Sequence, residues 1–141
     1  MDQTAIFVPF VGTMMLTFIV WFYMYSRRLP FVLSRKLSSR QMTRQELDRV
    51  SPAGVANPSD NLKNLFELPT VFYAVVLYLY ATSQVDGYYV LAAWIFFVFR
   101  ILHSVVHCSF NFVPLRFFLY VISALALWYM VLRVAWSTLP G

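Results

Sequence analysis

Cysteine occurs once in this chain, at Cys108, which excludes an internal disulfide and any paired-cysteine metal pattern. No His-Glu-x-x-His run is present, nor any internal repeat or low-complexity tract. The ten-residue stretches of alternating polarity that a membrane barrel needs are also missing. Length excludes a second core, because 141 residues with several long apolar segments leave room for one domain. What is present is mostly apolar. Hydrophobic residues make up 60% of the chain and aromatic ones 19%, with mean hydropathy +0.65. Soluble domains are usually only ~45–50% apolar, so the composition points to a membrane protein.

Four segments reach spanning length, given the ~20 apolar residues needed to cross ~30 Å of hydrocarbon. They are residues 4–25, 65–83, 87–107 and 114–136. Backbone in lipid finds no water to bond, so these segments are expected as helices. The fold class that follows is an all-α integral membrane protein, a four-transmembrane-helix bundle forming one domain over residues 1–141. The first segment is unlike a cleavable signal: Asp2 flanks it, the run is too long, and Arg27 and Arg28 follow directly. Of the eleven Lys and Arg residues, eight lie between Arg27 and Lys63. The positive-inside bias therefore places the 26–64 connection in the cytoplasm and the N-terminus outside. Despite the net charge of +5, that loop suits anionic lipid headgroups rather than nucleic acid. Within it, Thr43 to Glu46 spells a capping box. Ser59 or Asp60 is placed to cap the second helix, and Pro69 to kink it just beyond Glu67.

The stretch FFVFRILHSVVHCSFNFVPLRFFLY, residues 96–120, is interrupted by four basic residues. A central Arg costs ~2.5–3.5 kcal/mol on insertion scales, so each needs a partner or a purpose. Arg100 sits ~10 Å from the cytoplasmic end of its span at 1.5 Å per residue. His103 and His107 follow at i+3 and i+7 on the same helical face. Asn64 with Glu67, and Arg116 with Tyr120, stand near the same end of their own spans. Blander readings exist for each: a Glu67–Arg100 ion pair that fixes packing, an Arg116 that snorkels to phosphates, and a metal on the His103/His107 pair, which lacks a third ligand. That all of them share one level of the bilayer favours a cavity with an anion-friendly floor and greasy walls.

These residues resemble a known family. NLFELP (Asn64, Glu67), RILHSVVH (Arg100, His103) and PLRFFLY (Arg116, Tyr120), carried on four short spans, resemble the membrane-associated proteins in eicosanoid and glutathione metabolism (MAPEG). The pattern is closest to the microsomal prostaglandin E synthases, ungapped over residues 28 to 133. The resemblance implies a homotrimer binding glutathione in the cytoplasmic half, between neighbouring protomers. It implies that Asn64, Glu67, Arg100 and His103 line the glutathione pocket, that Tyr120 packs on the tripeptide, and that Arg116 stands by the thiol. Arg28 falls where the family has a basic residue reaching a neighbour's site, and His107 stands where the synthases have Tyr. Lys63 replaces an expected Arg, losing a bidentate carboxylate clamp. Asp60 stands where a basic residue is common, and Phe117 replaces a Ser beside the thiol.

The chemistry is coherent on its own terms. Glutathione carries two carboxylates, an ammonium and a thiol. Arg28, Lys63 and Arg100 suit the carboxylates, and Glu67 or Asn64 the amine. A cation beside the thiol, for which Arg116 is the candidate, raises its thiolate fraction. The expected activity is that of a membrane glutathione transferase or peroxidase acting on a lipophilic electrophile or hydroperoxide that arrives through the lipid, as in detoxification. The host membrane is a bacterial inner membrane or the endoplasmic reticulum. Two alternatives stand beside it: a non-catalytic lipid-binding scaffold of the same superfamily, and a small four-helix transporter coupled to protons through Glu67.

Overall fold

Asp2 starts the first helix: its carboxylate accepts the Thr4 amide at 2.9 Å and opens a 3-10 turn, Gln3–Ile6, which runs straight into α1 (Phe7–Arg35). In the computed structural model, all 141 residues are described except for the side chain of Gln41. The helix α1 stops where Lys36 turns left-handed (φ 47°) and its N–H returns to the Leu33 carbonyl. A 3-10 turn, Ser39–Met42, leads to the short α2 (Arg44–Val50). Here half of the expected capping box forms: the Thr43 hydroxyl accepts the Glu46 amide at 3.4 Å, while the Glu46 carboxylate turns to Arg49 instead of the Thr43 amide. Then come α3 (Ala53–Asn64), α4 (Leu68–Ala81), α5 (Gly87–Cys108) and α6 (Val113–Thr138).

The polar approach to the second span departs from expectation. Ser59 and Asp60 cap nothing, because α3 already begins at Ala53, behind an extended Pro52. Pro58 lies inside α3 and has no N–H to give the Gly54 carbonyl. Arg27 on α1 supplies the missing donor, its Nε bonding to that carbonyl at 3.3 Å. Pro69 accompanies an interruption rather than a kink. Residues 65–67 leave the helix, and Glu67 takes φ −92°, ψ −100° before α4 resumes.

Four helical stretches are long and apolar enough to cross a membrane: Gln3–Arg35, Ala53–Ala81 (α3 and α4 with their break), Gly87–Cys108 and Val113–Thr138. Their packing puts α5 at the centre, against α1, α3 and α6. Gly12 allows α1 to come close, since a Cβ there would meet the Phe97 ring at 2.4 Å. The main core is built on Phe72 of α4 stacked on Phe96 of α5, centroids 4.3 Å apart, with Leu127 and Met130 of α6 closing it. Outside, the polarity is inverted relative to a soluble bundle. Phe22, Leu125, Leu132 and Trp136 are exposed, whereas Asn61, Arg100, His103, Ser104 and His107 are buried. Such an exterior is stable against hydrocarbon, not water.

Arg133, near the far end of α6, bonds Asp86 through both guanidinium arms (2.8 and 2.6 Å) and lies 4.3 Å over the Tyr89 ring. Asp86 also caps α5 through the Tyr89 amide at 3.0 Å. The Arg133 hydrogen bond, and then the helix N-terminus, hold the Asp86 carboxyl below its usual pKa of 3.8. A carboxylate with a depressed folded-state pKa contributes stability above its unfolded value and loses it as pH falls through the folded one. The melting temperature is therefore expected to hold from neutrality to about pH 4 and drop below it. In Asp86→Asn that acid limb shrinks; an unchanged limb would assign acid sensitivity to other groups. The effect is modest, because both partners are about one-third exposed or more (34% and 41%).

Candidate ligand site at the basic end of the bundle

Three side chains of α5 set the site. Arg100, His103 and His107 follow Phe96 at steps of four, three and four residues, which keeps them on the buried face that the core has already oriented. Arg100 is 0% exposed, and its Nε, Nη1 and Nη2 have no hydrogen-bond partner among the described residues. The Nδ1 atoms of His103 and His107 are equally unpartnered. From α6, the Tyr120 ring lies 5.8 Å from the Arg100 guanidinium and 6.1 Å from the His103 ring. His103 and His107 meet edge to face at 5.7 Å. A buried guanidinium with an aromatic face beside it and no hydrogen-bond partner among the described residues is a costly arrangement, and it suits an anion that arrives from outside the chain.

Beside these groups lies a cavity of about 160 Å³ lined by Asn64, His103, Val113, Arg116, Phe117 and Tyr120. The last residue of α3, the C-terminal part of α5 and the first turns of α6 thus converge. Arg116 is held by its neighbourhood: its Nη1 donates to the Asn111 side-chain oxygen at 2.8 Å. Asn111 sits left-handed (φ 48°), a conformation Asn tolerates, and its N–H returns to the Val106 carbonyl at 2.8 Å to finish α5. Its amide nitrogen reaches the Asn57 oxygen on α3 at 3.4 Å. One turn residue therefore couples three helices to the Arg116 guanidinium.

The structure separates Arg28 and Lys63 from this group. Arg28 and Lys63 face a second hollow, of about 280 Å³, between α1, α2 and α3. There Arg28 donates to the Ser59 hydroxyl at 2.7 Å, and Lys63 is held by Asp48 at 3.2 Å and Asp60 at 3.1 Å. Glu67 is exposed at the break between α3 and α4 and makes no ion pair with Arg100, so the packing pair considered from sequence does not form. His107 adjoins His103 without lining the cavity.

Sequence reasoning passed over Asn61, which is fully buried. Its oxygen accepts the Ser104 hydroxyl at 3.3 Å and its nitrogen donates to the Cys108 sulfur at 3.5 Å, fastening α3 to α5. The signal was available: Asn57, Asn61 and Asn64 recur at steps of four and three, one polar stripe of a helix. Starting that helix at Ser59 or Asp60 had cut the stripe in two.

Chemically, the cavity offers one cation at its wall, an aromatic face, and an amide and an imidazole for hydrogen bonding. Its volume is below the ~300 Å³ at which small-molecule sites usually begin. Compared with known proteins, the chain matches the model of the MAPEG family over residues 6–136. No curated protein and no solved structure matches it.

Proposed function

The chain belongs to the MAPEG family, and from that premise we propose that it is a glutathione-dependent membrane enzyme that conjugates glutathione to, or with it reduces, a lipophilic electrophile or hydroperoxide. The observation that carries this reading is Arg100: a fully buried guanidinium with no partner on any nitrogen, stacked on a tyrosine that lines a cavity. In this reading Arg100 takes a carboxylate of the tripeptide. Asn64, His103 and Tyr120 hold its backbone and His107 orients His103, while Glu67, at the break, is within reach of the ammonium. Arg116 stands by the sulfur and stabilises the thiolate; the thiol proton leaves to water. With a chloronitrobenzene acceptor the sulfur then forms a bond to the ring carbon and chloride departs. Arg28 and Lys63 face the other hollow of the same chain, so in this reading they serve the set from a neighbouring protomer, Lys63 being paired within its own chain with Asp48 and Asp60. The partial cavity suits completion by a neighbouring protomer, as in a homotrimer, with the basic end on the cytoplasmic side.

In neutral detergent, millimolar glutathione is expected to raise the melting temperature, since a ligand at 100 times its Kd adds ~2.7 kcal/mol of stability. Purified protein should also form the nitrophenyl conjugate. No stabilisation by glutathione would instead favour a second reading, the non-catalytic lipid-binding scaffold. Two observations lend it weight: Phe117 lines the cavity beside Arg116, and Asp48 and Asp60 occupy Lys63. Neither stabilisation nor turnover would sink the glutathione reading.

A further inference from the structure

Arg116 is a long, flexible side chain in the first turn of α6, and among the described residues it makes no ion pair. What holds it is the Asn111 amide oxygen, 2.8 Å from its Nη1. A guanidinium can only donate, so the Asn111 atom that faces it has to be the oxygen. The amide nitrogen is then left to donate, and it meets the Asn57 oxygen on α3 at 3.4 Å. The two bonds agree on one orientation of the amide, with Asn57 as its anchor. Both Asn111 and Arg116 are half-buried, so water competes less for this bond than at an open surface. Asn111 itself stays off the cavity wall that Arg116 helps to form.

The kind of acceptor matters as much as its place. A carboxylate here would pair with the guanidinium and cancel the charge that a neighbouring thiolate needs. An amide oxygen takes the same N–H and leaves that charge whole. The backbone gives no reason for an amide: Asn tolerates the left-handed conformation (φ 48°), but Gly adopts it at least as readily. We propose that Asn111 is a positioning residue for Arg116, fixing the guanidinium on the cavity wall with its charge free to act on the sulfur, while Asn57 sets the direction of the amide. The role rests on the glutathione reading and adds to it a residue that touches neither the peptide nor the acceptor. An arginine ordered before the thiol arrives has less freedom left to lose when the thiolate forms.

The test follows conjugation of glutathione to the chloronitrobenzene acceptor by the full chain in detergent, from neutral to alkaline pH, together with the ultraviolet absorbance of the bound thiolate. Asn111→Gly keeps the turn and removes the amide. It should lower the rate at neutral pH about five-fold, the scale of one hydrogen bond. The loss should fade as pH rises, with KM for glutathione little changed, because Arg100 still takes the carboxylate. Asn111→Asp also suits the turn and keeps an acceptor, but it neutralises the guanidinium. It should lose more, about ten-fold, approaching Arg116→Ala. In both variants the thiolate absorbance should appear only at higher pH than in wild type. Combined with Arg116→Ala, Asn111→Gly should cause no further loss, since it acts through that arginine. A pH-independent deficit, a further loss on top of Arg116→Ala, or an Asn111→Asp equal to wild type would overturn the role and leave the glutathione reading standing. Should wild type bind glutathione without turnover, the absorbance alone decides. A wild type that neither binds nor conjugates glutathione would overturn both.

Discussion

Arg116→Ala is expected to lower glutathione conjugation at pH 7 by about 10- to 30-fold, with the deficit disappearing toward pH 9. The size follows from thiol ionisation. An unassisted thiol with pKa near 8.5 is only about 3% thiolate at pH 7, so a cation that ionises it fully contributes at most roughly 30-fold. The lower intrinsic nucleophilicity of an acidified thiolate takes back part of that gain. The pH profile is the decisive readout, because a merely structural arginine would give a deficit independent of pH. Arg116→Lys keeps the charge and should recover part of the rate, though without the fork that engages Asn111 at 2.8 Å. Equal activity of Arg116→Ala at every pH would remove Arg116 from the chemistry.

The second large effect has opposite signs in two assays. Arg100→Met should raise the melting temperature of the ligand-free protein and abolish its stabilisation by glutathione. In the structure this guanidinium is fully buried and all three of its nitrogens lack a partner. A buried unpaired charge is destabilising, and a long apolar side chain of similar reach fills the space without that penalty. Insertion scales put the difference at about 2–3 kcal/mol in favour of the variant. If Arg100→Met were instead less stable, the guanidinium would have a structural partner, and the case for an incoming anion would lose its main support.

What could be read from the sequence depended on how local the interaction was. The ladder on α5 was conspicuous because Arg100, His103 and His107 interrupt an otherwise apolar run at helical steps, and burial on one face follows from that period alone. The Thr43 cap was equally legible, because donor and acceptor are three residues apart. The start of α3 was not. Its sequence around Pro58 looks like a turn, and what sustains the helix is Arg27, 27 residues upstream of the Gly54 carbonyl that it serves. The Asp86–Arg133 pair spans 47 residues and was hidden in the same way. Lys63 shows both cases: Asp60 is three residues away on the same helix, whereas Asp48 is brought in only by the placement of α2. The family resemblance groups Arg28 and Lys63 with Arg100 by order along the chain, while within one chain Arg28 and Lys63 line a hollow that Arg100 does not reach.

Because Phe96, Arg100, His103 and His107 share one rigid rod, the rod turns them like lobes on a camshaft. A twist of a few degrees about its axis, too small to open the Phe72–Phe96 stack, would swing Arg100, His103 and His107 together and in phase. Sequence changes far up the shaft, where only hydrocarbon is touched, are thus a route to retiming the whole set.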